Sequence, residues 1–157
     1  MITGIPRGVV VLGVFFFVLT SCAVSGGTGA TKPPDTFDRA AGAVDRFADT
    51  YEKESLPGFM RGVGPDYDPG YIDLENRVRE EFERFDAFDL NVVVDRVSVD
   101  SSGTTAFADT HWTKRRVSGR TGKEGTLSGR TTLIFRIMPD GRLVLKGMKG
   151  DPVFGSP

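Results

Sequence analysis

The stretch "GRTTLIFRIMPDGRLVLKGMKGDPVFG", Gly129 to Gly155, decides the fold. Apolar and polar residues alternate on both sides of "PDG", Pro139 to Gly141. That pattern belongs to half-buried strands, and so short a connection requires them to run antiparallel. The spacing predicts one strand over Thr126 to Met138 and another over Arg142 to Gly150. Working back toward the N-terminus, the same period continues. "SGRTGKEG", Ser118 to Gly125, is a Gly-rich hairpin tip, and "TTAFADTHWTKRRV", Thr104 to Val117, a long strand. "SSG", Ser101 to Gly103, is a turn, and "LNVVVDRVSVD", Leu90 to Asp100, opens a four-stranded meander.

Upstream of the meander the period changes to that of a helix. Phe37, Ala40, Ala41, Val44, Phe47, Ala48 and Tyr51 recur at one-face spacing, with Asp35 or Thr36 placed to cap the start. "LPG", Leu56 to Gly58, ends this helix, and a short turn or helix is expected around Phe59 to Val63. "GPDYDPG", Gly64 to Gly70, reads as a loop because Gly and Pro dominate it. A further helix is expected from Ile72 to Phe85, with Leu74, Val78, Phe82 and Phe85 inward. Glu75, Arg77, Arg79, Glu80, Glu81, Glu83 and Arg84 form its charged face. Helices first and strands afterwards imply an α+β domain, its N-terminal helices packed on a curved four-stranded antiparallel sheet.

This arrangement resembles the nuclear-transport-factor-two-like superfamily, whose members form a cone-shaped, cystatin-like α+β roll. "FMRGVGPDYDPGYIDLENRVREEFERFDAF", Phe59 to Phe88, is similar to the second and third helices of bacterial envelope members. Gly129 to Gly155 is similar to their last hairpin and tail, so the resemblance covers Thr36 to Gly155. It implies a sheet wrapped around helices with an open end. Ketosteroid isomerases, scytalone dehydratase and polyketide cyclases use that opening for catalysis, whereas other members bind, dimerise or scaffold. Fold alone therefore leaves function open.

The N-terminal segment carries a different message. A short start with Arg7 precedes "VVVLGVFFFVL", Val9 to Leu19, about 11 apolar residues. As a helix that run spans roughly 16 Å, too short for a hydrocarbon core of about 30 Å. Its layout is that of a secretory signal. It ends in "LTSC", Leu19 to Cys22, which resembles the lipobox of bacterial lipoproteins. The resemblance implies diacylglycerol on the Cys22 sulfur, cleavage before it, and a fatty acyl chain such as palmitate on the new amine. Two or three chains make a lasting anchor where one does not. Residues 1–21 are thus expected to be a signal peptide, 22–35 a lipidated Cys and flexible linker, and 36–157 the folded domain. Ala23 after the cysteine resembles outer-membrane-sorted lipoproteins, so the expected place is the cell envelope, facing the periplasm in a Gram-negative host. "AVSGGTGATKPP", Ala23 to Pro34, with some 12 residues, gives a reach of about 20 Å.

Formal net charge is −1, and loss of Arg7 with the signal leaves −2, which disfavours nucleic acid and nonspecific adhesion to anionic lipid. One Cys and one His leave no internal disulfide and no multi-ligand zinc site, and no cofactor is expected. The acidic loop around Asp66, Asp68 and Asp73 lacks calcium-loop spacing. Lys114, Arg115, Arg116, Arg120 and Lys123 crowd one hairpin and read as charges that keep long strands from pairing edge to edge.

Asp109 and His111, two apart on one strand, share a face, and Asp95 on the preceding strand can stand nearby. Such a carboxylate–imidazole set is the candidate proton-transfer machinery of an isomerase or dehydratase. Phe107 and Thr113 share that face; Ala106, Ala108, Thr110 and Trp112 share the other. Alternation does not say which face points inward. Trp112, Leu133, Phe135 and Ile137 are the candidate lining of an apolar pocket. The favoured expectation is a non-enzymatic binding or assembly module, anchored in the bilayer through acylated Cys22, with an envelope protein or a second copy as partner. A small pocket enzyme and an apolar-ligand carrier are the alternatives.

Overall fold

The computed structural model describes residues 35–156. The signal segment, Cys22 and the expected linker up to residue 34 lie outside the described residues.

Helix α1 spans Thr36–Glu52. The Asp35 carboxylate caps it by accepting a hydrogen bond from the Asp38 N–H at 2.9 Å. Ala40, Ala43, Val44, Phe47 and Tyr51 form its buried stripe. Of the residues the spacing puts on that face, Phe37 is exposed because it stands in the first turn, and Ala41 and Ala48 are half-buried, while Ala43 joins the stripe. A five-residue helix α2 follows at Leu56–Met60. Helix α3, Tyr71–Arg84, runs directly into strand β2, Phe85–Val99. The sheet is completed by β3 (Thr105–Ser118), β4 (Glu124–Ile137) and β5 (Leu143–Gly150).

The sheet has five strands rather than four. "VGPDYD", Val63–Asp68, is a strand, β1, and not part of a loop. It lies parallel to β5 in the order β1-β5-β4-β3-β2. Two features make this possible. Val63 and Tyr67 bury apolar side chains against the core, and β1 is an edge, where Pro65 forfeits no ladder bond that a central strand would need. The meander itself is antiparallel throughout. β2 starts earlier than Leu90 because Phe85 to Asp89 pair with Ser118 to Arg115 of β3.

α1 packs on the concave face of the sheet, and aromatic rings fill the space between. Phe47, Tyr51 and Phe59 surround Phe154, with ring centroids 5.8, 5.3 and 5.0 Å from it. Phe154 belongs to the tail after β5. Val153, Phe154, Gly155 and Ser156 are all buried, so this segment after β5 packs into the core. Burial of Phe154 alone contributes roughly 2–3 kcal/mol. Gly155 turns with φ +62° against α3, where a Cβ would stand 2.8 Å from that of Arg77.

Candidate functional site

Asp109 and His111 share one face of β3, and that face is the outer one. The opposite parity, Ala106, Ala108, Trp112 and also Lys114, points into the core. Small residues there sit beside large ones on β4: Ala106 pairs with Phe135, Ala108 with Leu133, and Trp112 with Gly129. A Cβ at Gly129 would lie 2.7 Å from the indole, so glycine makes room for Trp112. A bulge between Val94 and Arg96 shifts β2 against β3 beside Asp109. His111 Nδ1 stands 2.8 Å from Asp95 Oδ1. Asp109 is engaged elsewhere: Arg96 Nε and Nη2 donate to its Oδ2 at 3.0 and 2.7 Å, and the Thr132 hydroxyl donates to Oδ1 at 2.8 Å. The Thr132 hydroxyl, followed by the Arg96 guanidinium, holds the Asp109 carboxyl below the usual aspartate range. The imidazole's carboxylate is therefore Asp95, not Asp109. Asp95 and Asp109 border an open outer depression of about 550 Å³ together with Arg96, Arg130 and Lys149.

Inside, Trp112, Leu133 and Phe135 are buried and Ile137 is half-buried. The Trp112 indole N–H donates to Thr131 Oγ1 at 3.0 Å. The centre of the polar interior is a group that alternation alone did not single out. Glu81 of α3 and Lys114 of β3 meet under the tail, with Nζ 2.6 Å from Oε1. Lys114 also donates to the Val153 carbonyl at 3.0 Å and to Ser156 Oγ at 3.1 Å. Arg116 donates to Glu81 Oε1 at 3.2 Å while its guanidinium lies 4.0 Å from the centre of the Phe85 ring. Glu81 Oε2 accepts from the Tyr51 hydroxyl and from the Ser156 N–H, the latter at 2.8 Å. The Gly155 N–H donates to Tyr51 Oη at 3.0 Å.

Solved structures carry the same architecture. An NTF2-like superfamily protein from Salmonella enterica serovar Typhimurium superposes with TM-score 0.58 at 13% identity, over 71% of this chain and 86% of that one. A ketosteroid isomerase-like protein from Erwinia carotovora atroseptica gives 0.59 at 16% identity, over 69% and 88%. A conserved protein from Planctomyces limnophilus gives 0.62 at 13%, over 71% and 94%. The fold is nuclear-transport-factor-two-like. No protein-family model matches the sequence, and no curated protein matches it.

In this NTF2-like domain the buried polar group is saturated. Glu81 accepts four hydrogen bonds. Lys114 has three protons and three acceptors. Tyr51 both donates and accepts. Neither carboxylate lone pair nor ammonium proton is left over for a substrate. Burial pushes the Tyr51 phenol well above its ordinary range, and the Glu81 charge pushes the same way. Burial lowers the Lys114 ammonium, opposed by Glu81. The chemistry of this cluster is fastening: it ties α1, α3, β3 and the tail to one point.

Sequence reading placed Glu81 on a solvated face and Lys114 in a charged hairpin. The signal against both was parity. Glu81 follows Leu74 and Val78 at helical spacing, and Lys114 follows Ala106, Ala108 and Trp112 at strand spacing. Among the described residues no helix is long and apolar enough to cross a membrane, and no His, Cys, Asp and Glu group has the makings of a metal site.

Proposed function

We propose that this chain is an envelope lipoprotein, anchored through acylated Cys22, whose NTF2-like domain is a non-enzymatic binding or assembly module. The observation that carries the reading is the saturated Tyr51–Glu81–Lys114 cluster under a buried tail. The interior of the cone, where pocket chemistry would need free polar groups, is filled by the chain's own aromatic residues and C-terminus. Recognition is then a property of the outer surface, where edge strand β2 leaves Val93 and Val99 exposed. An envelope protein or a second copy is the partner. The tether and acyl chains would keep that surface near the membrane.

The enzymatic alternative keeps one supporting observation, the 2.8 Å pair of His111 and Asp95 at the surface. An isomerase or dehydratase would work there in the open, with Asp109 held by Arg96 and Thr132. The geometry supports it less, because proton abstraction in water-filled space forgoes the desolvation that strengthens such a pair.

In-cell crosslinking of the full chain followed by mass spectrometry tests the proposal. The expected result is an N-terminal peptide starting at acylated Cys22, together with protein neighbours retained by the Asp109→Asn/His111→Ala variant. A bare thiol at Cys22, or a cellular phenotype lost in that variant with the fold unchanged, overturns it.

A further inference from the structure

A cleft of about 390 Å³ opens between α1, α2 and the start of β5. It lies on the surface, apart from the buried polar cluster. Its floor is apolar: Ala43, Phe47, Phe59 and Leu143 line it and are all buried. Its rim is cationic, with exposed Arg46, Arg61 and Arg142. Arg142 donates to Asp140 at 2.6 Å, and the one carboxylate in the lining, Asp49, is held by Lys53 at 2.6 Å. Arg46 and Arg61 have no ion pair among the described residues. The chain carries 21 acidic residues against 20 basic ones, so carboxylates were not in short supply. A further guanidinium, Arg39, precedes Arg46 by two turns on the same face of α1. Its Nε is buried without a hydrogen-bond partner. Its Nη1 lies 3.2 Å from where a Cβ at Gly141 would stand, next to Arg142.

Clustered guanidinium groups repel one another until an anion joins them, and their planar forks suit phosphate and carboxylate. A bare anion would leave the aromatic floor uncovered. A cleft of this size holds a small molecule rather than a polymer. We infer that it binds a small anionic amphiphile, its phosphate or carboxylate head on Arg46 and Arg61 and its short apolar part on Phe47, Phe59 and Leu143. The inference rests on the reading of the domain as a binding module, but not on the anchor at Cys22.

The test uses the full chain in phosphatidylcholine nanodiscs, titrated with hexyl phosphate and followed by amide and arginine Nε–H chemical shifts. Saturable shifts are expected at Gly58, Gly62, Leu143 and the rim arginines. Inorganic phosphate and hexanol should each bind about tenfold more weakly or worse, and Arg46→Gln/Arg61→Gln should weaken hexyl phosphate about tenfold with an unchanged melting temperature. Repetition in nanodiscs containing phosphatidylglycerol separates the sources: competition assigns a lipid headgroup, and its absence assigns a free ligand. Lack of saturable shifts, shifts elsewhere on the domain, or equal affinity in the double variant overturns the inference. An unacylated Cys22 with intact hexyl phosphate binding would sink the anchor alone; acylation without binding would sink the cleft alone.

Discussion

Lys114 Nζ lies 2.6 Å from Glu81 Oε1, with the two side chains 0% and 1% exposed. Burying two charges costs several kcal/mol each, and attraction between them offsets that only when the remaining hydrogen-bonding positions are filled. Here they are filled by Tyr51, Arg116, Val153 and Ser156. The pair therefore specifies where the tail docks more than it adds net stability.

Removing one partner should be far worse than removing both. Lys114→Met strips the buried Glu81 carboxylate of its nearer counter-charge, leaving Arg116 at 3.2 Å, and should cost about 3 kcal/mol in urea unfolding. Glu81→Leu/Lys114→Met should cost clearly less than the sum of the single variants. Additive losses in the double-mutant cycle would count against the pair acting as one unit.

The tail should behave as part of the core. Truncation after Asp151 removes Phe154 from among Phe47, Tyr51 and Phe59 and strips Lys114 of two acceptors. It should lower the melting temperature sharply and expose dye-binding apolar surface. Gly155→Ala is the gentler version: φ +62° disfavours any Cβ by roughly 1–2 kcal/mol, and the new methyl also meets Arg77. Calorimetry showing either variant as stable as the parent would refute the docking.

Stability should decline in alkali partly through Tyr51, whose phenol is raised by burial and by Glu81. Below pH about 10 it is neutral in both states and its contribution is intact. Above that, the unfolded chain ionises first, so stability falls as pH rises through the higher folded value. Lys114 acts in the opposite sense. Its lowered folded value lets the unfolded chain hold more protons in the window up to about 10.4, so stability rises with pH there. Tyr51→Phe should therefore flatten the alkaline decline in urea unfolding measured from pH 8 to 11; an unchanged slope would show that the phenol ionises alike in the folded and unfolded states.

His111→Ala should leave stability within about 0.5 kcal/mol, because its pair with Asp95 is exposed on both sides. Equilibrium unfolding checks this, and a loss above about 1 kcal/mol would give the outer pair a structural role it lacks in this geometry.

Much of the fold was legible before any coordinates. The stripe from Ala40 to Tyr51 and the alternation from Leu90 to Gly150 locate α1 and the meander, since burial of one face imposes its period on the residues. β1 was hidden because Gly64 and Pro65 signal a turn locally, and only pairing with β5 made a strand of Val63 to Asp68. Asp109 and His111 were seen to share a face, yet Asp95 rather than Asp109 reached the imidazole because the β2 bulge changes the register beside them.

By itself the sequence determined that helices precede a four-stranded antiparallel meander, the alternation of faces along its strands, and a lipobox-like Cys22 behind an apolar run. Tertiary structure alone decided that Ala106, Ala108, Trp112 and Lys114 point inward while Asp109 and His111 point out. It also decided that the tail seals the cone. Parity is a local property with two equivalent solutions, and the choice between them is made by residues far along the chain. Glu81 stands 33 positions from Lys114, and Ser156 stands 42; a lysine becomes a core residue only once both have arrived.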